Sequence, residues 1–545
     1  MESTQNSEKR ATRLIGAILV GLITIAFGVV AAVLLRAKWN NYDPFLLDFA
    51  KTARFYEALL QRVPYEYPPA LYAYFYSAFH ILMVPIYALT RSIFVIFVTH
   101  LLGFTLAIPV LYLIARRHLP GIALPLAMVV GYTLNPTLDI MTIALLRIES
   151  LWVLCFLLAV YCFDSGRQRL GLIVAVIGCL LRIDGIPIFI LWGALLWSRD
   201  QKALGKALMK RSILVLGLLL TGILIFRLVS GVSPNADVAH MADFDRQAGG
   251  AFSQYSRRMI AVFTQPQSYA NLTMVFQFLL LPLLAPLTLV PLTINVLYIV
   301  ISSQSFAAMP LVQAVLSPGN FLVPFLHPND TFLLAVFFVA SVYGLKRLTT
   351  WIKTDRMRGV LAAVLIGGFF AIHWFFATPE LGPVPLTRSF NYDYYRMTSH
   401  ARSAHESLAA LPMHEAGLIQ SSFAERNWQR PRAREIYPTT LPDAATQYIL
   451  MDLFAYSTTM SKPQLLAYAR TMLTNGEFRV ESFADGILYL RRGTPGLENA
   501  AVLEAIAAHE NQWANNFTNP YRFGELTREE ALARTFSPTM LPENP

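Results

Sequence analysis

The sequence predicts a polytopic α-helical membrane protein, with about ten or eleven transmembrane helices followed by a C-terminal extracytoplasmic α/β domain. Three observations predict this class. The 545 residues are 55% hydrophobic and 14% charged, which is more apolar than a soluble chain of this length. Residues 14–35 and 93–115 contain no Lys, Arg, Asp or Glu, and each run can cross about 30 Å of hydrocarbon. After Thr378 the sequence becomes charged and mixed in pattern.

The net charge of +10 comes from basic residues that are unevenly distributed along the chain. Basic residues concentrate in short segments between apolar runs, and the remainder of the chain is slightly acidic. Lys and Arg accumulate in the cytoplasmic connections of membrane proteins, so the basic excess indicates topology and argues against a nucleic-acid partner. The basic segments are residues 1–13, 116–118, 164–169, 199–211 and 346–358.

The same rule orders the crossings. With the N-terminus in the cytoplasm, the helix at 14–35 leads outward, and the crossing that ends at Arg116 and Arg117 leads inward. Residues 36–91 therefore form a large external loop, whose apolar stretch 70–89 lies along the outer surface or dips into the membrane. Further crossings are predicted near 120–135, 143–163, 169–183, 185–198, 212–230, 331–345 and 359–377, with a pair of short ones within 272–302.

That pair within 272–302 has two interpretations. Pro282, Pro286 and Pro291 interrupt the apolar run, and proline breaks or kinks a helix. The segment is either one kinked crossing or a tight hairpin. The hairpin is favoured because the segments on both sides must then be external.

Three domains are predicted: a transmembrane domain over 1–378, a small extracytoplasmic α/β domain over 379–495, and a helix with an irregular tail over 496–545. In the α/β domain, helices are predicted at 401–411 and 463–475, and strands at 417–420 and 448–453. Strands at 478–483 and 486–490 form a hairpin around Ala484, Asp485 and Gly486. A further helix is predicted at 497–513.

The cysteines do not indicate a functional site. Cys155, Cys162 and Cys179 all fall inside predicted helices, where they are interpreted as core residues. Their spacing suggests neither a metal site nor a disulfide framework. The chain also lacks a P-loop or dinucleotide-binding fingerprint.

Ionisable residues at the outer ends of the predicted helices form the candidate site. A carboxylate near the membrane boundary is costly to hold there, and such groups usually mark a pathway or a site. The alternative is that each acid and its neighbouring arginine are interfacial charges that neutralise each other. Because all the acids fall on one side of the membrane, beside a large external loop, we favour a functional cavity. Its residues are Asp43, Asp48, Arg147, Glu149, Arg182 and Asp184.

Several segments resemble known membrane enzymes. Residues 42–43, residues 67–72 (Tyr-Pro-Pro-Ala-Leu-Tyr) and a crossing that ends at 111–117 resemble the opening of GT-C glycosyltransferases. The chain to about residue 493 also resembles a bacterial membrane-protein family catalogued as domain of unknown function 2079, which sits in the same superfamily. The matching segments are residues 42–49, 146–151, 181–185, 343–347 and 485–493.

The chain departs from that family at three points. The family carries His-Pro-Glu where this chain has Arg147-Ile148-Glu149, and Lys-Glu-Asp where it has Arg182-Ile183-Asp184. A family histidine in the first external loop has no direct counterpart, because His80 is offset by several residues.

The resemblance implies a reaction and a role for each candidate residue. GT-C enzymes pass a sugar from a polyprenyl-phosphate carrier to an acceptor at the external membrane face, with inversion at the anomeric carbon. Asp43 is then the candidate catalytic base, and Arg147 and Arg182 would bind the carrier phosphate. Glu149 and Asp184 would orient these arginines or bind sugar hydroxyls, and Asp48 is a further substrate-binding candidate. Some superfamily members use a divalent cation and others none, so the cofactor stays undefined.

The predicted location is the bacterial inner membrane, as a multi-pass protein with a cytoplasmic N-terminus and an extracytoplasmic C-terminal domain. The predicted partners are membrane lipid, the polyprenyl-phosphate sugar donor and other membrane proteins that dock on the C-terminal domain. The aromatic stretch 70–89 is either a gate for the lipid tail or an aromatic belt at the interface. Two other functions stay open. One is a non-catalytic scaffold or complex subunit with the same fold, and the other is a lipid or solute transporter.

Overall fold

The computed structural model describes most of the apolar body and of the C-terminal domain. The described ranges are residues 2–41, 47–62, 79–143, 150–182, 185–199, 201–230, 276–290, 331–376, 384–388, 390, 395–420, 423, 427, 429–430, 432–437, 440–454 and 460–514. Contacts divide the chain into two units. Unit 1 comprises Met1–Ala32, Tyr67–Ile86 and Phe97–Ser389, and unit 2 comprises Val33–Glu66, Tyr87–Ile96 and Phe390–Pro545.

Apolar helices dominate the first 376 residues. They are α1 (Glu2–Asn40), α2 (Leu47–Gln61), α3 (Phe79–Thr90), α4 (Phe94–His118), α5 (Ala123–Thr133), α6 (Pro136–Ile143), α7 (Ser150–Asp164), α8 (Gln168–Leu181), α9 (Ile186–Trp197), α10 (Lys202–Ser230), α11 (Thr331–Trp351) and α12 (Asp355–Phe376).

Four helices within the described residues are long and apolar enough to cross a membrane. They are Arg10–Asn40, Phe94–His118, Leu333–Trp351 and Asp355–Phe375. The bent pair formed by α5 and α6 makes a fifth if it is counted as one span. Shorter apolar helices occur at Ser150–Asp164, Gln168–Leu181 and Ile186–Trp197. Several apolar helices are thus confirmed, and the predicted total of ten or eleven crossings stays a prediction.

The helices of unit 1 pack around an aromatic centre. Trp152 stacks on Phe156 at a ring-centroid distance of 5.3 Å, and both rings approach Phe189. These three side chains are fully buried. In contrast, α1 exposes a row of large apolar side chains, including Leu22, which is 59% exposed, and Ile25, which is 65% exposed. An exposed apolar surface of this kind suits a helix that faces lipid.

Several predicted boundaries were wrong. The connection predicted between residues 135 and 143 contains α6, and α7 is described from Ser150, with residues 144–149 outside the described residues. The basic segment 199–211 lies mostly inside α10, which begins ten residues before the predicted start of that helix. Residues 36–91, predicted to form an external loop, contain the end of α1 together with α2 and α3. Lys and Arg have good helix propensity, so apolar runs extend through flanking basic residues.

The proline-rich segment is described over residues 276–290. It contains two short 3-10 helices, Leu281–Leu284 and Pro286–Thr288, with Pro282 and Pro286 in their first turns. Proline suits a first turn because it has no N–H to leave unpaired there. Residues 291–302 lie outside the described residues, so the choice between a kinked crossing and a hairpin stays a prediction.

Unit 2 contains a five-stranded mixed sheet in the order β2-β1-β3-β5-β4. Its elements are α13 (Ser399–Ala410), β1 (Ala416–Ile419), β2 (Ala433–Glu435), β3 (Thr446–Asp452), α14 (Lys462–Thr474), β4 (Phe478–Ala484), β5 (Ile487–Arg492) and α15 (Leu497–Ala514). The strands β2, β1 and β3 are parallel, and β5 pairs antiparallel with both β3 and β4. The predicted C-terminal helices and strands are confirmed, apart from β2, which the sequence analysis missed.

Two apolar cores cover the faces of this sheet. On one face, Ala404 and Leu408 of α13 pack against Leu450 of β3. On the other face, Leu466 of α14 and Ile506 of α15 belong to a second buried cluster. The sheet is therefore the middle layer of an α/β/α arrangement. The domain boundaries predicted at residues 378 and 495 stay a prediction.

The end of α1 belongs to the same unit and is hydrogen-bonded to the segment around α13. His405 bonds the carbonyl oxygen of Asn40 at 3.0 Å. The Asn41 side chain donates to the carbonyl oxygen of Arg396 at 2.8 Å and accepts from the N–H of Thr398 at 3.3 Å. The last turn of α1 is thus capped by side-chain and backbone groups of residues that are far away in the sequence.

The hairpin predicted around Asp485 and Gly486 is confirmed. Both residues have positive φ, 49° and 78° respectively, as a tight two-residue hairpin turn requires. A Cβ at Gly486 would also lie only 2.5 Å from the ring of Phe454, so a larger residue would not fit here.

Candidate functional site

The predicted site residues lie mostly outside the described residues. This applies to Asp43, Arg147, Glu149 and Asp184. Asp48 lies in the first turn of α2, where only the backbone is described. Arg182 is described in full. The convergence of the six residues into one cavity therefore stays a prediction.

A polar cluster marks one end of the unit 1 helices. Nε2 of His118, at the end of α4, lies 2.7 Å from a carboxylate oxygen of Asp164, at the end of α7. The hydroxyl of Tyr343 donates to the same carboxylate at 3.2 Å, and Nζ of Lys346 lies 3.4 Å from Nδ1 of His118. Because α4, α7 and α11 all end here, together with Arg116 and Arg117, we call this the basic end.

Arg182 lies at the opposite end. Three residues separate the end of α7, at the basic end, from the start of α8 at Gln168. The helix α8 then ends at Leu181. Arg182 then adopts an extended conformation with φ −156° and ψ 123°, and its side chain is half-buried. The two helices predicted around 169–183 and 185–198 are thus confirmed as α8 and α9.

Gly185 closes the turn that begins at Arg182. Its N–H donates to the carbonyl oxygen of Arg182 at 3.3 Å. A Cβ at this position would overlap the indole nitrogen of the buried Trp152. Only glycine fits here, so Gly185 packs directly on Trp152.

A buried histidine and aspartate lie in unit 1, also away from the basic end. Nδ1 of His373, in the last turns of α12, lies 3.0 Å from a carboxylate oxygen of Asp139 in α6. Their side chains are only 2% and 7% exposed. Nε2 of His373 also bonds the carbonyl oxygen of Pro385 at 2.9 Å. Buried ionisable groups are costly within an apolar helix bundle, and each needs the other as a partner.

The sequence analysis missed this pair for a physical reason. It placed Asp139 in a connection between two crossings, where a carboxylate would be solvated. Instead, Asn135 caps α6, and its side-chain oxygen accepts from the N–H groups of Thr137 and Leu138 at 3.1 and 3.2 Å. The Asn135-Pro136 step is a helix-start signal that would have located α6 and put Asp139 in its first turn.

In unit 2, the α2 helix contributes another carboxylate that forms an ion pair. Glu57 is 7% exposed and accepts from Arg91 Nη1 at 2.6 Å, from Gln61 at 2.7 Å and from the hydroxyl of Tyr87 at 3.3 Å. Three donors satisfy this carboxylate, so we interpret it as structural. It fixes α2 against the residues that follow α3.

A further buried histidine lies at the carboxyl ends of the parallel strands. Nε2 of His400, in the first turn of α13, lies 2.8 Å from Asp452 at the end of β3, and Nδ1 lies 3.1 Å from Asp485. Burial by itself lowers the pKa of His400, but the two carboxylates raise it more, to about 9. The imidazolium is therefore an ionic link between α13, β3 and the β4–β5 turn.

This link predicts a pH-dependent domain stability. The pKa of His400 in the folded state, about 9, is above the ordinary value of about 6.5. The stabilisation is therefore complete below about pH 6.5 and is lost as pH rises towards 9, with a total of roughly 3 kcal/mol. Hydrogen exchange of the β3 amides in the full chain, corrected for intrinsic rates, should show the opening free energy falling over that range.

The control for this experiment is a second histidine of the same domain. His400→Gln should lower the opening free energy at pH 6.5 and remove its pH dependence, whereas His414→Gln, at an exposed position, should leave the curve unchanged. An unaltered pH dependence in His400→Gln would contradict the assignment.

A metal site does not emerge from the described residues. Among them, no group of three or more His, Cys, Asp or Glu side chains could hold a metal ion. The three cysteines are free thiols, of which Cys162 and Cys179 are buried and Cys155 is half-buried. Asp43, Glu149 and Asp184 lie outside this search, so a divalent cation at the predicted site remains an open alternative.

Comparison with solved structures found similar chains, whereas the sequence comparisons found none. No protein-family model matches the chain, and no curated protein sequence matches it. The resemblance to domain of unknown function 2079 therefore stays a prediction. Among solved structures, the chain is similar to the Archaeoglobus fulgidus oligosaccharyltransferase in its complex with Zn and sulfate. The identity is 12% and the TM-score 0.33, over 79% of this chain and 68% of that chain.

Proposed function

We propose that this protein is a GT-C-type membrane glycosyltransferase. It transfers a sugar from a polyprenyl-phosphate carrier to an acceptor at the external membrane face and inverts the anomeric carbon. The observation that carries the proposal is the position of Arg182, a half-buried residue that follows an apolar helix at the end away from the basic end. The order of the GT-C-like sequence segments supports it.

Each proposed role follows from the chemistry of the transfer. The acceptor hydroxyl must lose a proton as it attacks the anomeric carbon, and Asp43 is the proposed base. The phosphate leaving group gains negative charge, which Arg147 and Arg182 would stabilise because the guanidinium fork pairs with two oxygens. Glu149 and Asp184 would hold these arginines in place or bind sugar hydroxyls.

Asp48 and the aromatic stretch before α3 would serve donor binding. Asp48 is the second residue of α2, which follows the segment that contains Asp43. The carrier's polyprenyl tail needs an apolar groove open to lipid, and the aromatic residues of 70–89 would cover it as a gate. The exposed apolar surfaces of α1 and α3 are consistent with lipid contact, with Leu82 60% and Leu89 88% exposed.

A non-catalytic scaffold is the second candidate function. The departures at Arg147 and Arg182 from the resembled family, and the tail beyond residue 495, favour it. A scaffold would keep its partner interactions and membrane location without any donor turnover. A transporter is less well supported, because its ionisable groups would cluster near the bilayer midplane. The transfer assay below separates the enzyme from both.

Replacing Arg182 tests the proposed phosphate contact. Arg182→Gln removes one charge-assisted interaction with the leaving phosphate, so transfer from radiolabelled polyprenyl-phosphate sugar in membranes should fall by about 10- to 100-fold. Arg167→Gln is the matched control, because Arg167 precedes the same helix at the basic end. Equal transfer by wild type and Arg182→Gln, at equal protein levels, would count against the role of Arg182.

A further inference from the structure

Three buried donor atoms of neighbouring side chains in unit 2 lack a hydrogen-bond partner among the described residues. They belong to α2, to the segment between β1 and β2, and to a strand of the sheet. The atoms are Arg54 Nε, Arg430 Nε and Tyr489 Oη. Unpartnered buried polar atoms are rare in folded proteins, and a group of them in one place requires an explanation.

The electrostatic and ring contacts place these side chains together. The Asn427 amide donates a hydrogen bond to the Tyr448 hydroxyl, and the charges of Arg430 and Arg54 act on the same hydroxyl. The charge of Arg430 also acts on Tyr489. The rings of Tyr448 and Tyr489 lie edge to face at 6.5 Å between centroids. The two strands that carry them are paired, since β3 and β5 are neighbours. We call this group the double-arginine cluster.

Burial in this cluster is deep, and Arg430 is its least buried member. Arg54 is 6% exposed, Asn427 2%, Tyr448 0% and Tyr489 3%. Arg430 is only half-buried. Arg54 lies in the middle of α2, in a run from Ala53 to Glu57 in which every residue is buried. A guanidinium held this deeply loses most of its hydration, and that cost needs a compensating anion or several acceptors.

The geometry of Arg430 orients its free donor. Its Nη1 donates to Asn427 Oδ1 at 2.6 Å, and its Nη2 donates to the carbonyl oxygen of Leu411 at 2.8 Å. These two bonds fix the planar guanidinium. They also fix the Asn427 amide, whose oxygen accepts from Arg430 and whose NH₂ group donates to the Tyr448 hydroxyl.

The positive charge of the cluster is not neutralised by the described part of the chain. Within those residues, neither Arg54 nor Arg430 forms an ion pair. The carboxylates that act on Tyr489 are Glu415 and Glu481. Each already has its own arginine, because Glu415 lies 3.4 Å from Arg491 and Glu481 lies 3.3 Å from Arg479.

We propose that the double-arginine cluster is a binding site for a phosphate group. All three atoms can donate, and two of them belong to positively charged guanidinium groups, which pair well with phosphate oxygens. A carboxylate offers about four acceptor positions on two oxygens, whereas a phosphate offers more acceptors in three dimensions. The phosphate comes from a lipid headgroup or from a free phosphate compound, since both present the same oxygens.

The proposal concerns binding on the sheet of unit 2 and does not depend on sugar transfer. The test therefore contains no sugar donor, so its failure and the failure of the proposed function are distinguishable. The full chain is reconstituted in nanodiscs of neutral phosphatidylcholine, and its melting temperature is followed against inorganic phosphate at constant ionic strength. A parallel preparation contains phosphatidic acid in the discs.

A saturable rise in melting temperature with inorganic phosphate in neutral discs is expected if the source is a free phosphate compound. A rise only in discs that contain phosphatidic acid identifies a lipid headgroup. Arg54→Gln and Arg430→Gln should each weaken the response by about 10- to 100-fold in apparent affinity, because each removes a charge-assisted contact. No response in either preparation, or a response that both variants keep, overturns the proposal.

Tyrosine variants separate binding from folding. Tyr489→Phe removes an unpartnered hydroxyl, so the protein should fold with an unchanged or higher melting temperature in the absence of phosphate, and the phosphate response should weaken. Tyr468→Phe is the matched control, because the Tyr468 hydroxyl donates to the carbonyl oxygen of Thr440 at 2.9 Å. It should lower the melting temperature and keep the phosphate response. The reverse pattern would show that Tyr489 is only structural.

Discussion

Replacing Asp43 by Asn should reduce sugar transfer by about 100- to 10,000-fold, the range typical for loss of a general base. The amide keeps the size of the side chain and its hydrogen-bonding capacity, but it cannot accept the acceptor's proton. Donor binding should change little, because the proposed phosphate contacts come from Arg147 and Arg182. Transfer from radiolabelled polyprenyl-phosphate sugar is measured in membranes with matched protein levels.

The control for this variant is a carboxylate at the basic end. Asp355 begins α12, its side chain is 95% exposed, and it pairs only with Arg358 three residues later at 2.8 Å among the described residues. Asp355→Asn should transfer sugar at the wild-type rate. Unchanged transfer by Asp43→Asn, with the protein still folded, would remove Asp43 as the base.

Breaking the buried Asp139–His373 pair should produce the largest loss of stability in the membrane body. Asp139→Ala leaves a buried histidine without its carboxylate, and His373→Leu leaves a buried carboxylate without its histidine. Removing one partner of such a pair costs about 3–5 kcal/mol, because the remaining group stays desolvated. The double variant should recover most of this loss, since neither polar group is then left alone.

The measurement is a double-mutant cycle on the unfolding free energy in detergent. Ser341→Ala provides the control, because this fully buried hydroxyl bonds only the carbonyl oxygen of Phe337 in its own helix, at 2.8 Å. Its removal should cost less than either single variant of the pair. Additive effects of Asp139→Ala and His373→Leu would show that the two residues do not stabilise each other.

The C-terminal domain was the most predictable part of the chain. Turn residues and short alternating segments define its elements, as at Asp485-Gly486, where both residues need positive φ. The helix α14 carries a full capping box, in which Ser461 and Gln464 satisfy each other's backbone N–H groups. The strand β2 was missed because only Ala433–Glu435 pair with β1, and three residues give too short a pattern to read.

The membrane body was predictable in kind but less so in detail. Continuous apolar runs indicate spans but carry no periodicity that marks their ends, so α6 and the early start of α10 were missed. The partners of Asp139 and of His400 come from residues distant in sequence, and no local pattern connects them. The double-arginine cluster was missed for the same reason, because α2 is far in sequence from the sheet that contributes Tyr448 and Tyr489.

The central claim is that a polyprenyl-phosphate sugar binds beside Asp43 at the end of the bundle opposite the basic end. Its most direct test is an experimental structure of the full chain in lipid nanodiscs, with a polyprenyl-phosphate sugar added. The account predicts sugar density in contact with the Asp43 carboxylate and phosphate density in contact with Arg182. Glu149 and Asp184 should lie within about one sugar's width of Asp43. Donor density elsewhere, or Asp43 and Arg182 too far apart to contact one donor headgroup, would contradict the account.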